Sequence, residues 1–141
     1  MKPETAAFLQ KAQEFLGKAQ GMLANNWPDE AGRAAYLAGL HAAKAFLFER
    51  SGEITKSHKR VRAEFGRFTK DDPHFDQELR AFLGRTYDLK ALADYETGPG
   101  SKISPERAHV AIQTARRFVE CITSVIPPNG RIPPAPDTPN L

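Results

Sequence analysis

Apolar residues that recur every three or four positions constrain this chain more than any other feature. From residue 3 to about residue 24 they form the single face of an amphipathic helix, and four later segments are bounded by helix start and stop signals. No segment alternates apolar and polar residues over the length that a half-buried strand requires. The pattern predicts an all-α protein.

Punctuating residues divide the chain into five helices. The second begins near Pro28, which fits a first helical turn, and ends at Gly52, placed to adopt the left-handed conformation that follows a last turn. Ser57 and Ser104 are expected N-caps, and the Asp-Pro pair at residues 72–73 starts the fourth helix. The expected helices span residues 3–24, 28–51, 58–68, 73–93 and 105–126.

These helices predict an up-and-down bundle of four long helices plus one short helix. With 141 residues, of which 40% are hydrophobic, the chain can bury its own core, so we assign residues 1–126 to one bundle domain. Residues 127–141 hold six of the eleven prolines and almost no large apolar side chains. We expect them to form a disordered, Pro-rich tail.

Cysteine and histidine usage limits the possible chemistry. A lone cysteine, Cys121, excludes an internal disulfide and favours a reducing compartment. We see no signal peptide and no apolar stretch of about 18 residues, and therefore expect a cytoplasmic protein without a membrane span. The four histidines lack close metal-ligand spacing and no glycine-rich phosphate loop occurs, so we predict neither metal nor cofactor.

Positive charge is concentrated in one segment. The chain has a formal net charge of +3, but residues 56–70 alone carry six basic residues and one acid. Where such charge meets a helix start, the ligand it suits is the phosphate of a nucleotide or of RNA, and the alternative is a solvated basic helix. The phosphate-binding candidates here are Lys56, His58, Lys59 and Arg62.

A polar stripe interrupts the apolar second helix. At about 100° per residue, Arg33 and Lys44 fall on one side of this helix together with Leu37 and Leu40. His41 and Tyr36 lie at the edges of the stripe. The stripe either emerges at the bundle surface or faces a cleft or a second subunit, where a histidine of pKa about 6.5 is suited to proton transfer or phosphate binding.

The end of the fourth helix offers a third group of polar residues. Tyr87, Lys90, Ala91 and Asp94 fall on one face, and the four-residue spacing of Lys90 and Asp94 allows an ion pair. Such a pair contributes only about 0.3–0.5 kcal/mol on an exposed helix and is compatible with a purely structural role.

In their order and spacing, these three groups resemble the HEPN family of small helical domains, in its small prokaryotic branch. The resemblance covers about residues 5–126. The Ala-Tyr pair and the His-Ala-Ala segment of the branch match residues 35–36 and 41–43, and its Lys-Thr-His-Lys segment matches Lys-Ser-His-Lys at residues 56–59. Its Arg-x-x-Ala-Asp-Tyr motif appears as Lys-Ala-Leu-Ala-Asp-Tyr at residues 90–95.

The resemblance implies a homodimer with a cleft between subunits, and a protein associated with nucleotides or RNA. Many such proteins are metal-independent endoribonucleases that use an Arg-x4-6-His pair, and others act beside a small nucleotidyltransferase in toxin-antitoxin modules. Helix four lacks the standard pair, because neither of its arginines, Arg80 and Arg85, precedes a histidine at that spacing. Arg33 and His41 are separated by about 12 Å of helical rise, too far for the usual geometry.

We therefore expect a phosphate-binding HEPN-type module that acts with a nucleotidyltransferase partner. Its binding residues are predicted to be Arg33, Tyr36, Lys44 and the four candidates of the basic segment. An endoribonuclease with catalytic His41, Lys90, Asp94 and Tyr95 is the first alternative, and a non-catalytic scaffold is the second. The resemblance also implies that Tyr95 is a candidate acceptor of adenylyl groups from the partner.

Overall fold

Five helices form the fold in the computed structural model, which describes residues 1–95 and 102–126. They are α1 (Pro3–Ala24), α2 (Pro28–Ser51), α3 (His58–Thr69), α4 (Gln77–Tyr95) and α5 (Pro105–Val125). The described residues contain no strand. The predicted all-α class, with four long helices and a short one, is confirmed.

Helix α2 lies at the centre and contacts each of the other four helices. Small residues make this position possible, since alanine and glycine allow neighbouring helices to approach closely. A Cβ atom at Gly39 would lie 2.3 Å from Cε2 of Phe82 on α4, and one at Gly32 would lie 2.8 Å from Cδ1 of Ile103. The Ala-rich composition of α2 therefore follows from its burial.

The predicted caps are confirmed. The side chain of Ser57 accepts a hydrogen bond from the Arg60 amide at 3.2 Å, and Ser104 accepts one from the Arg107 amide at the same distance. Gly52 ends α2 with φ of 73°, in the left-handed region that glycine adopts without strain. Local signals thus set three of the helix boundaries.

The predicted start of the fourth helix was wrong by several residues. Asp72 and Pro73 do not open it, because the Asp72 carboxylate accepts a hydrogen bond from the His74 amide at 2.9 Å and forms a separate turn. This turn brings Phe75 into the core. Asp76 then acts as the cap, accepting a hydrogen bond from the Leu79 amide at 2.8 Å.

Aromatic side chains fill the core between α2, α3 and α5. Phe65 of α3 packs against Phe46 and Phe118, with ring centroids 5.4 and 5.1 Å apart. Phe68, which we expected beside Phe65 in the core, is 40% exposed instead, and the Arg67 guanidinium lies 4.5 Å from its ring centroid. The predicted buried stripe of α5 is confirmed at Ala108, Ile112, Ala115, Val119, Ile122 and Ile126.

Two segments lie outside the described residues, 96–101 and 127–141. The predicted tail falls in the second of them, and the domain boundary at residue 126 and the dimer stay predictions. Within the described part of the chain, no helix is both long and apolar enough to cross a membrane.

Candidate functional site

One strip of α2 is left partly uncovered by the neighbouring helices. Between Ala31 and Glu49 every residue of this helix is buried except four, which are partly exposed. They follow helical spacing on one face and form the floor of what we call the α2 groove: Arg33, Leu37, His41 and Lys44. Leu40 and Tyr36 are fully buried, so the prediction that Leu40 shares this stripe was wrong. His41, which was expected at the edge of the stripe, takes the place of Leu40 in it.

Helix α4 forms one wall of the α2 groove through an ion-pair cluster. Nε of Arg33 lies 2.7 Å from Oδ1 of Asp94, and Lys90 pairs with the second carboxylate oxygen of Asp94. Glu30 contacts the other side of the Arg33 guanidinium at 2.5 Å. Hydrogen bonds from Lys90 and Arg33 lower the pKa of Asp94. The expected Lys90–Asp94 pair is confirmed, and Arg33 extends it to α2.

Helix α3 contributes Arg62, which packs inward instead of projecting into solvent. Its guanidinium donates a hydrogen bond to the hydroxyl of Tyr36 at 3.2 Å and lies 4.0 Å from the ring centroid of Tyr87. The two tyrosine rings meet edge to face with centroids 5.7 Å apart. Burial raises the pKa of Tyr36, although Arg62 acts in the opposite direction. Arg62 thus connects α3 to both α2 and α4.

Tyr87 is the residue that sequence reasoning missed. It shares a helix face with Lys90, and this spacing was visible, but nothing in the sequence showed that Tyr36 and Arg62 converge on its ring. The contact joins residues on three helices. Only the tertiary structure reveals it.

His41 lies on the floor of the α2 groove and faces α1. Its ring centroid is 5.3 Å from that of Phe15, and Nδ1 is 2.9 Å from the Leu37 carbonyl oxygen. When Nδ1 donates to this carbonyl, Nε2 carries the free lone pair. Burial lowers the pKa of His41, the positive charges of Lys44 and Lys11 lower it further, and the Leu37 carbonyl acts in the opposite direction. His41 therefore favours the neutral form.

His58 is exposed at the start of α3, beside the ring of Tyr36 at a centroid distance of 5.9 Å. Its pKa is lowered by burial and then by cations from three helices, namely Lys44, Lys90 and Arg62, with a smaller effect of His41. Among the described residues, the groups with the largest charge effects on His58 are basic side chains, so this side of the α2 groove is basic.

The structure brings together most of the residues singled out in the sequence, but in two groups. Arg33, Lys90 and Asp94 form the ion-pair cluster, while His58, Arg62 and Tyr87 gather around Tyr36. Lys44 is partly buried on the groove floor, and burial lowers its pKa.

Two candidates lie outside these groups, and the side chain of a third is not described. Lys56 and Lys59 are exposed near the start of α3. Tyr95 ends α4, but its side chain lies outside the description.

The positions of these residues can be compared with the needs of RNA cleavage and of phosphate binding. The catalytic set expected for a ribonuclease is not gathered at one point, since Asp94 contacts Arg33 and Lys90 whereas His41 contacts Phe15 and Leu37. Cations from α2, α3 and α4 do converge, and these suit a phosphate. In the described residues, no group of three or more His, Cys, Asp or Glu side chains is placed to hold a metal ion.

Comparisons with known proteins agree with this fold. The model of the HEPN domain family matches residues 5–125. A protein of Methanocaldococcus jannaschii named "putative toxin MJ0605" is 28% identical over 126 residues, which cover 89% of this chain and 91% of that protein. The crystal structure of TT1696 from Thermus thermophilus superposes with a TM-score of 0.72 and 18% identity, covering 87% of this chain and 98% of that one. At this identity, TT1696 is informative about the fold alone.

Proposed function

The chain belongs to the HEPN domain family, and from this premise we propose that it is a phosphate-binding module of a toxin-antitoxin-like system. The α2 groove binds the phosphate of a nucleotide or of RNA, the module is a homodimer, and it acts with a small nucleotidyltransferase. The Methanocaldococcus jannaschii relative, whose name is "putative toxin MJ0605", supports the toxin-antitoxin part of this proposal.

The observation that carries the proposal is the convergence of cations at His58. Arg62 of α3 lies on Tyr36 and Tyr87, and the His58 ring lies 5.9 Å from that of Tyr36 between centroids. The charges of Lys44 on α2 and Lys90 on α4 act on the same imidazole. Like charges brought together from separate elements repel one another, and an anion between them relieves that repulsion. Lys44 and Lys90 are only partly exposed to solvent. Their charge-assisted hydrogen bonds to a bound phosphate would therefore be stronger than those of fully exposed lysines.

Calorimetric titration with a mononucleotide tests this proposal. We expect binding that weakens as salt rises, and further weakening in Lys44→Ala and Lys90→Ala. Arg107→Ala is the matched control, because Arg107 is an exposed cation at the start of α5, outside the α2 groove. If the affinity for the mononucleotide changed neither with salt concentration nor in the Lys44→Ala and Lys90→Ala variants, phosphate binding by the α2 groove would be refuted.

Substitutions of Arg62 and Lys59 have to be interpreted differently in this binding experiment. Lys59 is exposed, so Lys59→Ala reports on charge alone. Arg62 also holds Tyr36 and Tyr87, so Arg62→Ala removes packing together with charge. A thermal unfolding curve of each variant separates loss of binding from loss of the fold.

The partner is tested by copurification. A tagged chain expressed together with the adjacent genes of its source should retain a nucleotidyltransferase of small size through size-exclusion chromatography. Mass spectrometry of the recovered chain then shows whether Tyr95 carries an adenylyl group. A chain that elutes without any such protein would contradict the partner proposal, and an unmodified Tyr95 would contradict the adenylylation proposal.

A metal-independent ribonuclease is the second candidate, favoured by the two histidines of the α2 groove. His41 and His58 both have lowered pKa values and the charge of Lys44 acts on each, so a neutral imidazole is available as a general base near a cation. Cleavage of RNA in excess EDTA, leaving 2′,3′-cyclic phosphate ends and lost in His41→Ala and Lys90→Ala, would support this candidate. Cleavage that survives both substitutions would remove these residues from the mechanism.

A further inference from the structure

Helix α1 forms the second wall of the α2 groove, and it carries an aromatic side chain between two lysines. Phe15 is partly buried, and the ammonium groups of Lys11 and Lys18 lie 5.7 and 5.0 Å from its ring centroid. The three residues are spaced by four and three positions, so they share one helix face. None of them belongs to the phosphate site described above. We call this group the α1 face.

The α1 face is continuous with the α2 groove. The ring of Phe15 stands 5.3 Å from that of His41, with 31° between the two planes, and Phe8 contacts the same imidazole at 6.5 Å. The Lys11 ammonium also acts on His41, since its charge contributes to lowering the pKa of that residue. A ligand that contacts His41 therefore lies close to Phe15 and within the influence of the Lys11 and Lys44 charges.

Aromatic rings interleaved with cations are the chemistry that recognises single-stranded nucleic acid. Bases of any sequence stack on flat side chains, while lysines bind the phosphates between them. Phe15 and His41 supply the flat groups, and Lys11 and Lys18 supply the charge. Glu14 lies 3.9 Å from Lys11, but an exposed pair of this kind is weak and does not remove the ammonium from a phosphate.

We propose that the α1 face extends the phosphate site of the α2 groove into a track for a short single strand of RNA. This inference rests on the proposed function, because the track begins at the phosphate site beside His58. Packed helix axes lie about 8–10 Å apart, so the path from α4 across α2 to α1 covers about 16–20 Å. That span fits about four nucleotides, the lower end of known single-strand site sizes.

Oligonucleotide length separates this inference from the proposed function. The probes are uridine monophosphate, which requires only the phosphate site, and a uridylate tetramer, which also reaches the α1 face. We expect the tetramer to bind the unmodified protein about tenfold more tightly than the monomer. The double variant Lys11→Gln/Lys18→Gln should lose most of this gain and keep its affinity for the monomer, and Phe15→Leu should reduce the gain.

Salt dependence provides an independent readout of the lysines. The slope of log K against log salt for the tetramer should fall by about one for each lysine that contacts a phosphate. Arg107→Gln again serves as the control, with slope and length gain unchanged. The folding of each variant is verified by its thermal unfolding midpoint.

The possible outcomes distinguish a failure of the RNA track from a failure of the phosphate site in the α2 groove. A length gain that persists in the double variant overturns the track, while monomer binding upholds the α2 groove. Tetramer binding that depends on the α1 face without monomer binding overturns the groove site and, with it, the track as an extension of that site. Absence of both kinds of binding also refutes both claims. A loss of gain that comes with a changed elution volume shows that a second copy of the chain covers the α1 face, which also overturns the track.

Discussion

Arg33 of α2 and Asp94 of α4 form an ion pair across the α2 groove, with Nε and Oδ1 2.7 Å apart. About a quarter of each side chain is exposed, 27% for Arg33 and 24% for Asp94. Lys90 binds the same carboxylate, so Asp94 forms ion pairs with two cations from different helices. A phosphate that enters the α2 groove competes with Asp94 for these cations.

Asp94→Asn is therefore expected to strengthen phosphate binding severalfold while it weakens the fold. The substitution frees Arg33 and Lys90 for the ligand but removes a bond between α2 and α4, at a cost of about 0.5–1 kcal/mol for a partly exposed pair. Calorimetry with a mononucleotide measures the first effect, and urea unfolding measures the second. If binding weakened instead, Asp94 would be acting to position the cations. A ribonuclease that uses Asp94 as a catalytic residue would lose cleavage in this variant.

Gly39 tests the close contact between α2 and α4. Gly39→Ala places a methyl group 2.3 Å from Cε2 of Phe82, a core side chain that cannot withdraw freely. We expect a loss of about 1–3 kcal/mol in the free energy of unfolding, despite the higher helix propensity of alanine.

Gly17 is the matched control, because it lies inside α1 with nothing within 4 Å of its added Cβ. Gly17→Ala should stabilise the protein by up to about 1 kcal/mol, as an unstrained exposed helical site allows. Urea denaturation of both variants shows whether Gly39→Ala lowers and Gly17→Ala raises the free energy of unfolding. A stable Gly39→Ala protein would show that α4 can move away from α2.

The features of the fold that could be predicted from the sequence are those that depend on residues close together in the chain. Ser57, Ser104 and Gly52 act within their own helix ends, so the residue type alone identified them as caps. Asp72 failed as a helix start because its carboxylate bonds the His74 amide and forms a turn first. Phe68 was misplaced because a short helix offers two neighbouring apolar positions, and tertiary packing decides which one is buried. Phe65 is the one that packs against Phe46 of α2, Phe118 of α5 and Phe75.

The candidate site was harder to predict because its contacts cross helices. Lys90 and Asp94 are four residues apart, so their pairing was visible in the sequence. Arg62 is 26 positions from Tyr36, and no local rule brings a guanidinium of a basic segment onto a buried hydroxyl. The sequence showed which residues carry charge, whereas the packing of α3 determined that Arg62 turns inward.

Glu49 makes the stability of the protein dependent on pH. This carboxylate is buried at the end of α2, where one oxygen accepts hydrogen bonds from the Lys2 amide at 3.1 Å and the Thr5 hydroxyl at 2.7 Å. Burial alone raises its pKa, but these bonds and the positive charges of Lys2 and the N-terminus outweigh burial and lower it. The folded pKa is thus below the unfolded pKa. The stabilisation is complete above the unfolded pKa and is lost as pH falls through the folded one.

Glu49→Gln should reduce the free energy of unfolding at neutral pH by about 1–3 kcal/mol, the range for buried hydrogen bonds to a charged group. It should also flatten the decline in stability below about pH 4.5, the region where an ordinary glutamate titrates. Guanidinium unfolding between pH 3 and pH 7 checks both effects. Glu53→Gln, at an exposed position just after α2, is the control, and equal pH slopes in the two variants would contradict this role of Glu49.

Lys44 couples the two histidines of the α2 groove. Burial is the main cause that lowers the pKa of each imidazole, and the charge of Lys44 lowers both further. Removing this charge in Lys44→Gln should therefore raise the pKa of His41 and of His58 towards the ordinary value of about 6.5. Titration of the histidine ring signals by NMR follows both residues in one experiment.

Lys59→Gln is the matched control for this titration, since Lys59 is an exposed cation beside His58 in sequence and is absent from the groups that act on either imidazole. It should leave both pKa values unchanged. A phosphate bound near Lys44 adds a negative charge at the same place, so mononucleotide should raise the pKa of both histidines in the unmodified protein. Proton uptake on binding then makes the affinity rise as pH falls towards 6. An affinity that stays constant from pH 8 to pH 6 would place the bound phosphate away from these histidines.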